Sequence, residues 1–197
     1  MNLSEKKISS STVYDGKIIK VEVDDVVLPD GKKSKRECVR HTGGAAVLFV
    51  KDGNVALVKQ FRYLYGKEIY EIPAGKLNAG EDAKAAAERE LEEETGYRAA
   101  SSCHLVDIYP TPGYTDEIIH VYYVDDAVFA GQKLDEGEFL NCVFMPVKKV
   151  AKMIESGQIN DSKTICAVLL YMLKNKYIRA DCLCSPLILF NYALLIA

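Results

Sequence analysis

Residues 75–97 read GKLNAGEDAKAAAERELEEETGY, and this stretch predicts a capped, acidic helix. Gly80 favours a turn, and the acidic pair after it places negative charge where a helix would begin. Strong helix formers then continue as far as Gly96, which is a natural C-terminal stop. We therefore predict a helix of about four turns over residues 82–95.

The apolar and acidic residues of this predicted helix occupy different faces. The apolar stripe recurs every four residues and consists of Ala83, Ala87 and Leu91. Glu90, Glu93 and Glu94 stand at i, i+3 and i+4, so they share another face, where their charges repel. This acidic face needs either water or a cation beside it.

Two interpretations of the acidic face are open. Charge runs on helices usually contact water, so a solvated face is one of them. Hard oxygen ligands grouped on one face also suit Mg²⁺ or Mn²⁺, which accept substrate phosphates. Glycine at both ends, the single Arg89 among the acids and the spacing of each Glu favour the metal site.

The order of specified residues in this stretch resembles the signature box of the Nudix hydrolases at every fixed position. The matching residues are Gly75, Glu81, Arg89, Glu90, Leu91, Glu93, Glu94, Gly96 and the bulky Tyr97. The resemblance implies an α/β (α+β) fold, namely the Nudix α/β/α sandwich with a mixed β-sheet. Several short strands, with helices only at the box and near the C-terminal end, favour the same class.

Beyond the box, the resemblance narrows to the ADP-ribose pyrophosphatase branch and covers residues 14–179. The resemblance rests on Arg36-Glu37 ahead of Gly43-Gly44 and on the segments 60–63 (QFRY), 71–75 (EIPAG) and 109–117 (YPTPGYTDE). In the last segment, Pro112 stands sixteen residues after Gly96. The resemblance implies Mg²⁺-dependent hydrolysis of ADP-ribose to AMP and ribose 5-phosphate. The same marker occurs in relatives that cleave other nucleoside diphosphate sugars, such as GDP-mannose. A damaged nucleoside triphosphate as substrate and a non-catalytic nucleotide sensor are the further alternatives.

The resemblance also implies the metal ligands. Glu90 and Glu94 come first and Glu93 next, and the Ala74 carbonyl is the backbone ligand. Mg²⁺ is the expected ion, with Mn²⁺ as a substitute. Glu81 would support a further ion or the loop. Arg89 would pair with the acids and hold them in place.

The attacking water needs a base, and the family often supplies a Glu from a loop after the box. The loop 135–138 (DEGE) offers Glu136, which we prefer, and Glu138, with Glu93 as a further catalytic candidate. The alternative interpretation of this loop is a solvated acidic turn.

The substrate-binding candidates come from several segments. The forked guanidinium of Arg62 matches phosphate oxygens, and Arg36 is a weaker candidate for the same phosphate contact. Glu117 is placed to contact the substrate ribose or simply ends a loop. Three aromatic residues are candidates for stacking on adenine or, alternatively, for ordinary core packing: Tyr14, Phe61 and Tyr114. The three histidines, His41, His104 and His120, show no partner spacing and are interpreted as structural.

The chain is divided by sequence into three parts. Residues 13–29 alternate in polarity and residues 35–40 pair back, which predicts a small antiparallel N-terminal sheet. The predicted parts are 1–42, an N-terminal β element for dimerisation and substrate binding, 43–180, the Nudix hydrolase domain, and 181–197, an apolar tail of unassigned role.

The composition of the chain limits which classes of partner we expect it to bind. The net charge of −3 and pI near 5.7 imply no general affinity for nucleic acid. The polar N-terminus lacks the apolar core of a signal peptide, and the tail is too short and broken to span a membrane. We expect a cytoplasmic enzyme that binds a small nucleoside diphosphate sugar and neither nucleic acid nor membrane. The family resemblance implies a homodimer that shares the N-terminal sheet.

Overall fold

The computed structural model describes residues 2–177, which form two compact units. Among the described residues, one unit contains residues 2–43 together with Tyr109–Ile118, and the other contains Gly44–Ile108 and residues 119–177. The division predicted from sequence did not group residues 109–118 with the N-terminal element, and its boundaries stay a prediction. The predicted apolar tail, residues 181–197, lies outside the described residues.

The N-terminal unit is a three-stranded antiparallel sheet in the order β1-β2-β3. Its strands are β1 (Lys6–Asp15), β2 (Lys20–Val27) and β3 (Lys33–Arg40). The turn after β2 closes with a bond from the Gly31 amide to the Leu28 carbonyl, as the Pro-Asp-Gly sequence predicts. Strand β1 is longer than the sequence indicated, because its exposed polar residues show no alternation in polarity.

The loop 109–118 is attached to this sheet by backbone hydrogen bonds. The Val39 amide donates to the Tyr114 carbonyl at 2.7 Å, and the Asp116 amide donates to the Val39 carbonyl at 3.2 Å. The Arg40 guanidinium also contacts the Asp116 carboxylate at 3.2 Å. Residues that are far apart in sequence therefore form one unit.

The second unit contains nine strands and three helices among the described residues. The strands are β4 (Gly44–Lys51), β5 (Asn54–Arg62), β6 (Lys67–Glu71), β7 (Ala74–Lys76), β8 (Tyr97–Ala99), β9 (Cys103–Ile108), β10 (Ile119–Val124), β11 (Ala127–Phe129) and β12 (Leu140–Pro146), and a short 3₁₀ helix, Tyr63–Tyr65, joins β5 to β6. The helices are α1 (Ala83–Thr95), α2 (Val147–Glu155) and α3 (Ser162–Tyr177).

Seven of these strands form a mixed sheet. Its main path is β12-β5-β4-β10-β9, with β6 paired to β5 and β7 paired to β4. Strands β4 and β10 run parallel, and the other pairs run antiparallel. Strands β8 and β11 form a separate two-stranded ribbon.

Both faces of the sheet are covered by helices, because central strand β4 is apolar on both sides. Leu48 and its same-face neighbours join a core that includes Val150 of α2 and Val168 of α3. Val47 and Phe49 join a second core with α1. The predicted α/β/α sandwich with a mixed sheet is therefore confirmed.

The buried stripe of α1 differs slightly from the predicted one. Ala87 and Leu91 are fully buried as expected, but Ala86 is buried with them and Ala83 is only half-buried. Ala83 is the first residue of the helix, so it lies at the margin of the core. The buried face therefore continues from Ala86 towards Glu90, which directs acidic side chains towards the protein interior.

Two further observations concern the membrane and the cysteines. Among residues 2–177, no helix is both long and apolar enough to cross a bilayer. In the same range none of the cysteines, which are Cys38, Cys103, Cys142 and Cys166, forms a disulfide. The remaining two cysteines lie outside the described residues.

Candidate active site

The acidic helix α1 is capped at both ends as the sequence predicts. The Asp82 side chain accepts a hydrogen bond from the Ala85 amide at 3.0 Å, which satisfies a free donor of the first turn. Gly96 ends the helix with φ 78°, a left-handed conformation that favours glycine. A Cβ at Gly96 would also lie only 2.7 Å from the Gln132 amide nitrogen. The caps fix the register of the acids on α1.

Strand β7 lies directly against the acids of α1. The Ala74 amide donates to Glu94 Oε2 at 2.9 Å. A Cβ at Gly75 would lie 1.9 Å from Glu90 Oε1, so only glycine lets the strand approach this closely. The predicted backbone ligand and two of the predicted carboxylate ligands are therefore neighbours.

Replacing Gly75 by Ala should displace Glu90 and weaken Mn²⁺ affinity by about 10- to 100-fold, the usual effect of disturbing ligand support. The measurement is a Mn²⁺ titration followed by electron paramagnetic resonance. Gly80→Ala is the control, because Gly80 has φ +75° but no atom within 4 Å of the methyl group that alanine would add. It adds backbone strain without a clash. Equal Mn²⁺ affinity in Gly75→Ala and wild type would contradict the prediction.

Arg89 joins three acids, and the pairing predicted for it is present. Its Nε donates to Glu81 Oε1 at 2.9 Å. Its Nη1 donates to Glu90 Oε1 at 2.7 Å and to Glu93 Oε2 at 2.8 Å. One guanidinium therefore offsets part of the repulsion among the carboxylates and orients them.

Burial sets the electrostatics of the two inner acids. Glu90 and Glu94 are 8% and 3% exposed. Burial raises the pKa of Glu90, against the opposing hydrogen bond from Arg89. Burial also raises the pKa of Glu94 from 4.5 to about 8; the charges of Glu90 and Glu138 add to this, and the Ala74 amide opposes it. Both carboxylates are costly to ionise without a cation beside them.

This environment fits a hard divalent cation. The grouped donors are carboxylate oxygens on α1 and the backbone of β7, which are the ligand types that Mg²⁺ and Mn²⁺ prefer. A positive ion would reverse the cost of ionising two buried acids, as a coordinated cation does for its ligands. Ala74, Glu90, Glu93 and Glu94 could hold it.

The raised pKa of Glu94 predicts a pH dependence in the metal-free protein. Between pH 4.5 and about 8, the folded state keeps a proton that the unfolded chain releases. This contribution to stability is full below pH 4.5 and is lost as the pH rises to about 8. We expect the free energy of unfolding in EDTA, taken relative to Glu94→Gln, to fall across that window.

Saturating Mg²⁺ is the control for this pH dependence, because a bound cation keeps the carboxylate ionised. In Mg²⁺, the free energy of unfolding relative to Glu94→Gln should no longer fall between pH 4.5 and about 8. Urea denaturation at a series of pH values measures both conditions. A relative stability in EDTA that stays constant with pH would show that Glu94 is not buried as described.

The two loop acids differ in their effect on the site. Glu138 is exposed, yet its charge contributes to raising the pKa of both Glu90 and Glu94. Its amide donates to the Asp135 carbonyl at 3.0 Å, which closes a turn. Glu136 is also exposed and stands in the same turn. An electrostatic effect on the acids of α1 is seen for Glu138, whereas the sequence favoured Glu136, and the choice between them stays a prediction.

A buried ion-pair network that the sequence did not reveal is centred on Glu71, three residues before Ala74. The Arg62 Nε and Nη2 atoms donate to Glu71 Oε1 and Oε2 at 2.6 and 2.8 Å. Lys163 Nζ, from the first turn of α3, contacts both Glu71 and Asp161. Lys163 stands 92 residues from Glu71, so no local pattern could have indicated the contact. Arg62, predicted as a phosphate clamp, therefore has two donors committed to Glu71.

Replacing Lys163 by Met should lower the free energy of unfolding by about 2–4 kcal/mol, because Glu71, only 2% exposed at its side chain, would keep Arg62 as its one strong partner. Lys59→Met is the matched control, since the Lys59–Glu68 pair is much more exposed. That change should cost less than about 1 kcal/mol. Urea denaturation measures both, and equal losses would contradict a structural role for the buried pair.

Three predicted substrate residues belong to the N-terminal unit. Arg36 is paired with Glu5, its Nε atom lying 3.0 Å from Glu5 Oε2. Glu117 lies 3.6 Å from His41 Nδ1. Tyr114 is largely exposed, as are Tyr14 and, in the second unit, Phe61, so none of these aromatic residues is a core residue. Their contributions to a substrate site stay predictions.

Two family profiles match the chain. The profile described as the NUDIX domain matches residues 39–168. The profile described as the nucleoside diphosphate sugar hydrolase N-terminal domain matches residues 5–39. Together they cover the N-terminal sheet and the part of the chain that carries the acidic helix.

Individual relatives agree with these profiles. An ADP-ribose pyrophosphatase from Bacillus subtilis is 43% identical over 176 residues, which is 88% of this chain and 95% of that protein. A methanol dehydrogenase activator from Bacillus methanolicus is 43% identical over 169 residues, or 83% of this chain and 90% of that protein. A solved structure described as an ADP compounds hydrolase superposes with a TM-score of 0.78 at 23% identity, covering 89% of this chain and 97% of its own. This structural likeness concerns the fold.

Proposed function

The chain is a hydrolase that belongs to the NUDIX domain family, and we propose that it hydrolyses the pyrophosphate bond of ADP-ribose, or of a close nucleoside diphosphate sugar. The products from ADP-ribose are AMP and ribose 5-phosphate. The observation that carries the proposal is the contact of β7 with the buried acids Glu90 and Glu94, which is the arrangement needed beside a phosphoanhydride. The similarity to an ADP-ribose pyrophosphatase supports the choice of substrate.

We propose Mg²⁺ as the ion, with Mn²⁺ as a substitute, because every grouped donor is an oxygen. Its ligands would be Glu90 and Glu94, then Glu93, with the Ala74 carbonyl. When bound, a divalent cation supplies neutralisation of the pyrophosphate charge and lowers the pKa of a coordinated water. Arg89 keeps Glu90 and Glu93 oriented for this purpose through its bonds to both side chains.

We propose Glu138 as the base that takes the proton of the attacking water. Its support is the electrostatic effect of Glu138 on Glu90 and Glu94. Its exposure leaves the carboxylate ready to accept a proton and return it to solvent. Glu136 and Glu93 are the remaining candidates for this role.

We propose substrate-binding roles for residues of each unit, taken separately. Arg62 uses one N–H of Nε and one of Nη2 on Glu71, so a phosphate contact from this side chain would use the N–H groups of Nη1 or the second N–H of Nη2. Tyr114 offers an exposed ring for the adenine, Glu117 a carboxylate for the ribose, and Arg36 a weaker phosphate contact. The profile match at residues 5–39 supports a substrate role for the N-terminal unit.

The assembly and location are also proposed. We infer a homodimer in which the N-terminal sheet is shared, so that one subunit's aromatic side chains complete the adenine site of the other. The long, exposed strand β1 provides an unpaired edge for such an exchange. We infer a cytoplasmic location.

The experiment is a comparison of kcat/KM across ADP-ribose, GDP-mannose and a nucleoside triphosphate, with Mg²⁺ or EDTA present. We expect AMP release, the highest kcat/KM for ADP-ribose, and no turnover in EDTA. A higher kcat/KM for GDP-mannose than for ADP-ribose would change the proposed substrate but would still identify a hydrolase. Tight binding of ADP-ribose with no turnover of any compound would contradict the proposal and indicate a sensor.

A further inference from the structure

A second cluster of metal-ligating side chains lies on β9 and β10, outside the acidic site of α1. One ring nitrogen of His104, one of His120 and a carboxylate oxygen of Asp107 lie within 4.8 Å of one another. His104 Nε2 is 2.7 Å from Asp107 Oδ1, and His120 Nδ1 is 2.8 Å from the same oxygen. Two imidazoles therefore share one carboxylate oxygen.

Strand pairing explains why these residues meet. Asp107 and His120 are directly opposite each other in the antiparallel β9–β10 pair. In a regular strand, residues three apart point to opposite faces, so His104 would be directed away from Asp107. The register shift between Val121 and Tyr122 breaks this rule and puts all three ligands on one side. The sequence interpretation of His104 and His120 as isolated structural residues was therefore incomplete.

We propose that His104, Asp107 and His120 bind a transition-metal dication such as Zn²⁺. Imidazole nitrogens suit Zn²⁺ and its neighbours, whereas Mg²⁺ prefers oxygen. Tetrahedral Zn²⁺ with bonds of about 2.0–2.2 Å needs ligand atoms about 3.4 Å apart. Each ring nitrogen would therefore move about 0.6 Å away from the carboxylate oxygen, which small side-chain rotations can supply. Solvent would fill the fourth position.

The charges around the cluster favour a cation. Within residues 2–177, the ion-pair partners of Asp107 are the two histidines, so no lysine or arginine neutralises it there. The hydrogen bond from His104, and that from His120, lower the pKa of Asp107, which is ionised at neutral pH. The ring of Tyr122 lies edge-on to His104, at 5.6 Å between ring centroids. Negative charge also surrounds Tyr122: burial raises the pKa of its hydroxyl, and the charges of Asp82 and Glu88 raise it further.

Zn²⁺ binding to the two imidazoles needs no further reactant to balance the protons. Each neutral imidazole loses the proton of its ligating nitrogen to solvent and gains one on its other nitrogen, so no net proton is released. All three side chains reach solvent, which gives the ion a path of entry.

The position of the cluster suggests its structural effect. Asp107 and His120 stand one residue from the ends of β9 and β10, at the base of the loop 109–118. Strand β9 is at the edge of the sheet and pairs with β10. A bound ion would therefore cross-link the two strand ends from which this loop leaves, and we expect Zn²⁺ to raise the Tm.

Equilibrium dialysis of the full chain against Zn²⁺, with Mg²⁺ in large excess, tests the site. We expect the His104→Gln/His120→Gln double variant to retain one Zn²⁺ per chain fewer than its parent. The same difference should appear when the parent carries Glu94→Gln, which separates this site from the acidic site. His41→Gln is the matched control and should retain as much Zn²⁺ as wild type. Equal Zn²⁺ content in the double variant and its parent would overturn the proposal.

A second measurement needs no variant of the cluster. The chain has three histidines, so their ring resonances can be followed by NMR as Zn²⁺ is added. Two of the three should shift at one equivalent. A Co²⁺ complex should show no thiolate-to-metal charge-transfer absorption. Such absorption, or unchanged histidine resonances, would show that other groups hold the ion and would overturn the proposal.

Discussion

Glu94→Gln is expected to lower kcat by about 100- to 1,000-fold, the usual effect of removing one electrostatic group from an active site. Glu94 is 3% exposed, and its Oε2 atom is held by the Ala74 amide. An amide side chain would keep the shape of this contact region but lose the negative charge. Initial-rate assays of AMP release with saturating Mg²⁺ measure the loss.

Glu92→Gln is the matched control for this prediction. Glu92 lies on the same helix, but its carboxylate pairs with Arg98, away from Glu90 and Glu94. We expect near-normal kcat for this variant. Circular dichroism should show the same fold for both variants, and the metal-free Glu94→Gln protein should be no less stable than wild type near pH 8, because it avoids a costly buried charge. A kcat within twofold of wild type for Glu94→Gln would remove Glu94 from the proposed ligands.

The second large effect concerns the base. Glu138→Gln should lower kcat by about 100- to 10,000-fold, as is typical for the loss of a general base. Glu136→Gln is the control, two residues away in the same exposed turn, and should change kcat little.

A metal titration separates catalysis from an indirect effect. Glu138 also influences Glu90 and Glu94 through space, so its loss could alter cation affinity alone. Measuring kcat at saturating Mg²⁺ removes that contribution. If activity then recovers in Glu138→Gln, or if Glu136→Gln shows the larger loss, the assignment of the base would be wrong.

Local patterns were sufficient to predict the acidic helix and part of the N-terminal sheet. The caps at Asp82 and Gly96 depend on neighbouring residues, and the apolar run of β4 is readable in the sequence. The helix spans Ala83–Thr95, one residue shorter at its start than predicted. Strand β1 was largely missed because its polar residues carry no period that distinguishes a strand from a loop.

Contacts between distant segments could not be predicted in the same way. The Glu71–Lys163 pair depends on where α3 begins relative to β6, which is set by packing of the whole sheet. His104 reaches Asp107 only because of a register shift in the β9–β10 pair. The preference between Glu136 and Glu138 likewise depends on the geometry of a short turn rather than on residue type.

The central claim is that the acids of α1 and the backbone of β7 hold a divalent cation for phosphoanhydride hydrolysis. Anomalous diffraction from crystals soaked in Mn²⁺ and a non-hydrolysable ADP-ribose analogue tests it most directly. We predict a Mn²⁺ peak in direct contact with carboxylate oxygens of Glu90 and Glu94, beside the pyrophosphate. A bound analogue with no Mn²⁺ near either residue, or with both carboxylates turned to bulk solvent, would contradict the account.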